Sequence, residues 1–319
     1  MAFAGRAFFM DQLKKFRFYV YATLVLLLSY TLKTFIFKKF SMKVFNFSCK
    51  LIALTFLVSA GLSCSDDDKA PDTTYDVALK ETTAGKALVD SSGKTLYFFT
   101  KDVAGTSACS GGCVGTWPLF SKKASKLDPA LNAADFGTIT RADGETQTTY
   151  KGWPLYYYKN DAAPGDAKGE NVGSIWFVAK PDYTIMFANA QLIGKDGKLY
   201  TSDYKEGTGE TQFFVDGMGR TLYAYVNDTK NANKFTTNVE THDASWPIYV
   251  AEIKDLPSTL DKSLFTTIDV FGKKQLTYKG WPLYYFGNDN QKRGFTKGVD
   301  SPRTGVWPIV NKESPVAPN

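Results

Sequence analysis

The chain divides into three stretches by the way apolar and polar residues are distributed. Residues Phe18 to Phe37 are apolar except for Lys33 and a few small polar residues, and Lys14, Lys15, Arg17, Lys38 and Lys39 flank them. Such a run is about long enough to span a bilayer as a helix. A second stretch begins at Met42-Lys43, continues through the apolar run Leu51 to Leu62, and ends at Ser63-Cys64. A basic start, a short apolar core and small residues before a cysteine describe a secretory signal. In the third stretch, aromatics recur in pairs two residues apart: Tyr97/Phe99, Tyr156/Tyr158, Tyr223/Tyr225 and Tyr284/Phe286. Residues at i and i+2 share one face of a strand. Turn signals stand beside them at Asp90-Ser-Ser-Gly93, Lys151-Gly152 and Asp216-Gly-Met-Gly219, which predicts hairpins. Helical signal is weak, and short helices are predicted only near Asp128–Ala134 and Leu256–Leu264.

The third stretch also repeats itself. Gln147 to Tyr158 matches Gln275 to Phe286 at nearly every position, and a similar offset carries Tyr97 to Tyr223, Trp117 to Trp246 and Trp176 to Trp307. Each half subdivides again, because Tyr-x-aromatic-x-x-Asp occurs twice in each. The aspartates that close the four copies are Asp102, Asp161, Asp228 and Asp289. The expected fold is mainly β: two tandem homologous antiparallel β domains, each of two hairpin-based repeat units, with few short helices. The period does not fix closure, so the repeats can also close into one pseudosymmetric body. The expected boundaries are 1–41 for upstream translation or a membrane segment, 42–63 for a signal peptide, and 64–75 for an acidic tether. Residues 76–190 and 191–316 form the two homologous halves.

Charge sharpens this division. The chain has 38 Lys and Arg against 32 Asp and Glu, but residues 1–63 hold nine of the bases and one acid. The remainder is slightly acidic, so the basic excess belongs to the presequence, and a nucleic-acid footprint is not expected. One histidine, His242, leaves no material for a His-rich metal cage and at most one histidine base.

These features resemble a known family, the bacterial secreted-repeat lipoproteins with a Tyr-x-(Phe/Trp/Tyr)-x-x-Asp motif. The matching pieces are Leu88-Val-Asp with Gly93-x-Thr-Leu-Tyr97, Cys109-x-x-x-Cys113 with Trp117-Pro118, and Tyr150-x-Gly-Trp-Pro-Leu-Tyr156. The resemblance implies an envelope-exposed lipoprotein, with electron transfer among the roles suggested for relatives. Cys64 would carry the lipid, and Ser65-Asp-Asp-Asp68 resembles the export signal of surface lipoproteins in the Bacteroidetes type of envelope. The expected location is therefore the outer membrane, facing the exterior, with the membrane as a partner through the anchor.

Each chemical candidate has a plain structural counterpart. The motif aspartates suit loop caps better than calcium ligation, since no calcium-loop spacing surrounds them. The aromatic pairs suit a core, and their sharper reading is sugar platforms or electron relays. Cys109 and Cys113 are placed for a small disulfide loop, either a local staple or a redox-active pair. His242 precedes Trp246 as Cys113 precedes Trp117, which suggests a shared metal or haem only by that equivalence. Nucleophile-elbow, dinucleotide and P-loop fingerprints are missing, so an enzyme is the least supported class. No cofactor is expected. The leading expectation is a non-catalytic binding or scaffolding module. Electron transfer with a redox partner and glycan binding are the alternatives.

Overall fold

Thirteen strands and two single-turn helices carry the chain from the tether to its end in the computed structural model, which describes residues 74–319. Cys64, the signal segment and the apolar run before it lie outside the described residues. The first half contains β1 (Val77–Thr82), β2 (Gly85–Asp90), β3 (Tyr97–Phe99), α1 (Gly112–Thr116), β4 (Phe136–Thr140), β5 (Thr146–Tyr150), β6 (Trp153–Pro154) and β7 (Trp176–Val178). The second contains β8 (Met186–Ile193), β9 (Leu199–Tyr200), β10 (Glu210–Val215), α2 (Glu240–Asp243), β11 (Phe265–Val270), β12 (Lys273–Tyr278) and β13 (Trp281–Pro282).

All strand pairs are antiparallel, and the architecture is mainly β, built from small sheets. The sheet β4-β5-β6 has its counterpart in β11-β12-β13. In both, a two-residue turn joins the last two strands, Lys151-Gly152 in one and Lys279-Gly280 in the other. All four turn residues have positive φ, the backbone that a tight hairpin requires and that glycine adopts without strain. The β1-β2 hairpin corresponds to β8 and β10, with residues 194–209 inserted between the second pair and forming β9.

The two helices predicted from sequence are single 3₁₀ turns, Ala133–Asp135 and Lys262–Leu264. Asp128 explains the first difference: its carboxylate accepts from Ala130 N (2.9 Å), and its carbonyl accepts from Leu131 N, so the chain closes a turn instead of starting a helix. The α-helical turns lie elsewhere, one residue before Trp117 and shortly before Trp246.

Residues 74–319 lie in one compact unit, and its main hydrophobic cluster draws on both halves, from Leu88 and Trp153 to Leu222 and Leu283. Arg293 reinforces this join. Its guanidinium lies 4.6 Å from the Trp153 ring centre and donates to the carbonyls of Val103, Lys151 and Met218. A cation over an aromatic face, further fixed by carbonyl acceptors, suits a largely desolvated arginine. Burial nevertheless pulls its pKa down to about 10, with Asp216 and Asp102 acting against the shift.

Candidate functional site: the paired tyrosine and tryptophan clusters

The four motif copies meet in twos. Tyr97 and Tyr156 exchange backbone hydrogen bonds (2.9 and 3.1 Å), as do Tyr223 and Tyr284 (both 2.9 Å). Because each pair is antiparallel, a local twofold relates the two copies, and each tyrosine side chain reaches the other copy's aspartate. Tyr97 donates to Asp161 (2.6 Å) and Tyr156 to Asp102 (2.5 Å). In the second half Tyr223 donates to Asp289 and Tyr284 to Asp228, both at 2.7 Å.

The other oxygen of each carboxylate holds the loop that follows it. Asp102 accepts from Ala108 N, Asp161 from Lys168 N, Asp228 from Lys234 N, and Asp289 from Lys297 N, at 2.7–2.9 Å. The motif therefore ties a strand of one copy to a loop of the other through a charge-assisted hydrogen bond. Burial and the neighbouring carboxylate push all four phenols well above their ordinary range.

Between the tyrosines lie the tryptophans. Trp117 and Trp176 stack at 3.8 Å with planes 4° apart, and Trp246 and Trp307 at 3.7 Å and 6°. The third motif position closes each pair from outside. Phe99 stacks on Trp176 and Tyr158 on Trp117, while Tyr225 stacks on Trp307 and Phe286 covers Trp246, at 4.1–4.5 Å. Each half thus contains a continuous pile of four rings. The motif tyrosines meet it edge-on: Tyr97 on Trp117, Tyr156 on Trp176, Tyr223 on Trp246 and Tyr284 on Trp307. These are the favourable aromatic geometries. A methyl group on Gly169 would come within 2.9 Å of both Tyr97 and Trp117, and one on Gly298 within 2.8 Å of both Tyr223 and Trp246. Only glycine lets these loops close over the rings.

The clusters are core. Every tryptophan of the two pairs and every edge-on tyrosine is buried, and only Tyr158 and Tyr225, at stack ends, are half-buried. Asn160 and Asn227 donate to their hydroxyls in the same way (3.0 and 2.9 Å).

The halves differ where the sequence has its cysteines. Cys109 and Cys113 are disulfide-bonded, with Cα atoms 5.4 Å apart, and Cys109 is packed in the first cluster. In the second half, the residue after the loop's anchoring amide is Phe235, and His242 stacks on it at 4.5 Å. A ring stack thus takes the place of a covalent link. His242 Nδ1 lies 2.8 Å from Asp243 Oδ1 and 3.2 Å from Thr237 Oγ1. Among the described residues, no group of His, Cys, Asp or Glu is gathered to hold a metal.

Sequence reasoning missed a third tyrosine–aspartate pair in each half. Tyr157 donates to Asp90, and Tyr285 to Asp216, both at 2.9 Å. The other oxygen of each aspartate accepts from amides of its own turn, at Ser92 and Lys94 or at Met218 and Arg220. The signal was available, since Tyr157 and Tyr285 are the same position of the duplicated segment and both aspartates open the same turn. Arg141 was missed as well. Buried, it joins the cysteine loop through Ser107 and the Cys109 carbonyl to Gln147 on β5.

A family model described as a secreted repeat of unknown function matches residues 78–121, 137–180 and 266–311. The chain carries this family's secreted repeat three times. The three matched segments each bring one motif tyrosine into the clusters just described. Residues 186–250 are not matched, yet β8, β10, Tyr223 and Trp246 give them the same parts. The insertion at 194–209 separates strands that the other copies join by short turns. Neither curated proteins nor solved structures give a match to the chain. A secreted-repeat protein fits an extracellular or envelope location, and among the described residues no helix is long and apolar enough to cross a membrane.

The buried carboxylates give the secreted-repeat body an uncommon pH response. Burial pushes Asp102 up to about 7 and Asp228 and Asp289 up to about 6. An aspartate in the unfolded chain titrates near ~3.9, so between that pH and 6–7 the folded state holds more protons. Stability therefore rises as pH falls through that window. Burial also acts to raise Asp90, but hydrogen bonds from Ser92, Lys94 and Tyr157 outweigh it and hold that carboxyl low. Its contribution is present above the ordinary carboxylate range and is lost only at more acidic pH. The urea midpoint is expected to be higher at pH 5 than at pH 8, each unit of elevated pKa contributing about 1.4 kcal/mol. A flat or inverted profile would contradict this.

Proposed function

We propose that this secreted-repeat protein is a lipid-anchored, non-catalytic module of the outer cell envelope, held at Cys64 and facing outward as a binding or scaffolding body. The observation that carries this reading is the reciprocal closure of the clusters. Motif tyrosines and aspartates of paired copies engage one another, and the stacked tryptophans are buried behind them. Groups so engaged hold a shape under outside conditions and leave no nucleophile–base pair poised on a substrate. The basic-apolar-cysteine pattern at Met42 to Cys64 supports the anchor, and the acidic residues that follow support a solvated tether. A multiply acylated cysteine anchors far more firmly than a single chain.

Metabolic labelling with an alkynyl fatty acid tests the anchor. The wild-type chain is expected to take up label and sediment with membranes. Cys64→Ser is expected to lose the label and to appear in the soluble periplasmic fraction. Label retained by Cys64→Ser would overturn the assignment.

A further inference from the structure

We propose that the second half binds a small organic anion, a carboxylate or sulfonate carried on an apolar ring, in the cleft beside Tyr285 and Phe286. The cleft has a volume of about 450 Å³, and Arg220, Pro247, Tyr285, Phe286, Asn290 and Lys292 are among its lining residues. That volume is typical of small-molecule sites, and the mixture of an apolar wall with a few polar groups is typical of their lining.

Lys292 is the cation of the cleft without an ion pair among the described residues, and Arg220, whose charge is matched by Asp216, keeps a free donor. Arg220 lies with its guanidinium 4.6 Å from the Tyr285 ring centre. It directs Nε to Asp216 and Nη2 to Asp216 and the Tyr285 hydroxyl, while Nη1 has no hydrogen bond to any described residue. A guanidinium so oriented offers a fixed donor to a carboxylate or sulfonate. Lys292 is exposed and forms no ion pair among the described residues, its ammonium lying 5.5 Å from the Phe295 ring centre. The carboxylate that lines the cleft, Asp289, has its two oxygens engaged by Tyr223 and Lys297 N and does not compete. Pro247 and the Phe286 edge supply the apolar wall for the ring.

Comparison of the halves separates this feature from the common scaffold. Gly294 N bonds Gly219 O as Gly165 N bonds Gly93 O, which aligns the two loops. Where the second half has Gln291-Lys292-Arg293, the first has Ala162-Ala163-Pro164, with Pro164 packed on Gly93. Lys94 stands where Arg220 does. Arg220 partners Asp216 as Lys122 partners Asp90 in the first half, so the cation that the second half adds to the common frame is Lys292. Binding there is independent of whether Cys64 is acylated.

Titration of the full chain in detergent with 2-naphthalenesulfonate, followed by calorimetry, tests the site. Saturable one-site binding is expected, weakened about tenfold by Lys292→Gln, the scale of one charge-assisted contact. Lys292 is exposed, so this variant is expected to fold as the parent does. 2-Naphthol, with the same rings and no anion, is expected to bind at least tenfold more weakly, and Lys94→Gln in the first half to leave affinity unchanged. No saturable binding, equal affinity in Lys292→Gln and wild type, or an equal loss in Lys94→Gln would each overturn the proposal.

Discussion

Trp307→Ala is expected to lower the unfolding free energy by about 3–5 kcal/mol, the range for removing a large buried aromatic. Trp307 is 2% exposed, stacks between Trp246 and Tyr225, and receives the edges of Tyr284 and Phe235. Its removal leaves a gap that neighbouring residues cannot fill without breaking the backbone exchange between Tyr223 and Tyr284. Urea denaturation followed by far-UV circular dichroism measures the loss. Near-UV dichroism should also lose the signature of the coupled indoles, since Trp246 no longer has a partner 3.7 Å away. Trp176→Ala should behave alike, because the first half repeats the geometry. A loss under about 1 kcal/mol for either would mean that the pile of rings is not what holds the copies together.

Tyr223→Phe is expected to cost roughly 1.5–3 kcal/mol, the range for a hydrogen bond to a buried charged group. The ring stays in place, but one oxygen of Asp289 loses its donor in a site that excludes water. The pH dependence distinguishes this from lost packing. Without the phenol donor, which lowers the Asp289 pKa, burial raises it further. The penalty should therefore be greater at pH 8, where the carboxylate is charged, than at pH 5. A double-mutant cycle with Asp289→Ala should show coupling between the two positions. A penalty independent of pH, together with no coupling, would show that the bond carries no energy.

Much of the fold could be read from the sequence because the repeat states it several times. Aromatics two apart identify β3, and Lys151-Gly152 identifies the turn between β5 and β6. The partners of the motif residues could not be read. Tyr97 and Asp102 look like one unit in sequence, yet the acceptor of Tyr97 is Asp161, 64 residues away. Equal spacing in every copy fits pairing within a copy as well as pairing between copies. Only the antiparallel exchange at Tyr97 and Tyr156 decides between them. The helix expected at Asp128–Ala134 failed for a local reason, since an aspartate that can cap a helix can equally close a turn. Arg293 had no sequence signal at all, because the first half has Pro164 in its place and self-comparison cannot reveal what is not copied. The cleft beside Phe286 was hidden for the same reason.

The swapped tyrosine–aspartate bonds also restrict how such proteins can grow. The contact across each local twofold is isologous, the kind found between identical subunits of a dimer. A lone copy would present a bare indole and a carboxylate with no phenol to receive, so copies must be gained or lost in couples. The same rule makes the diverged third copy, at residues 186–250, indispensable: it is the mate without which the fourth has nothing to close against.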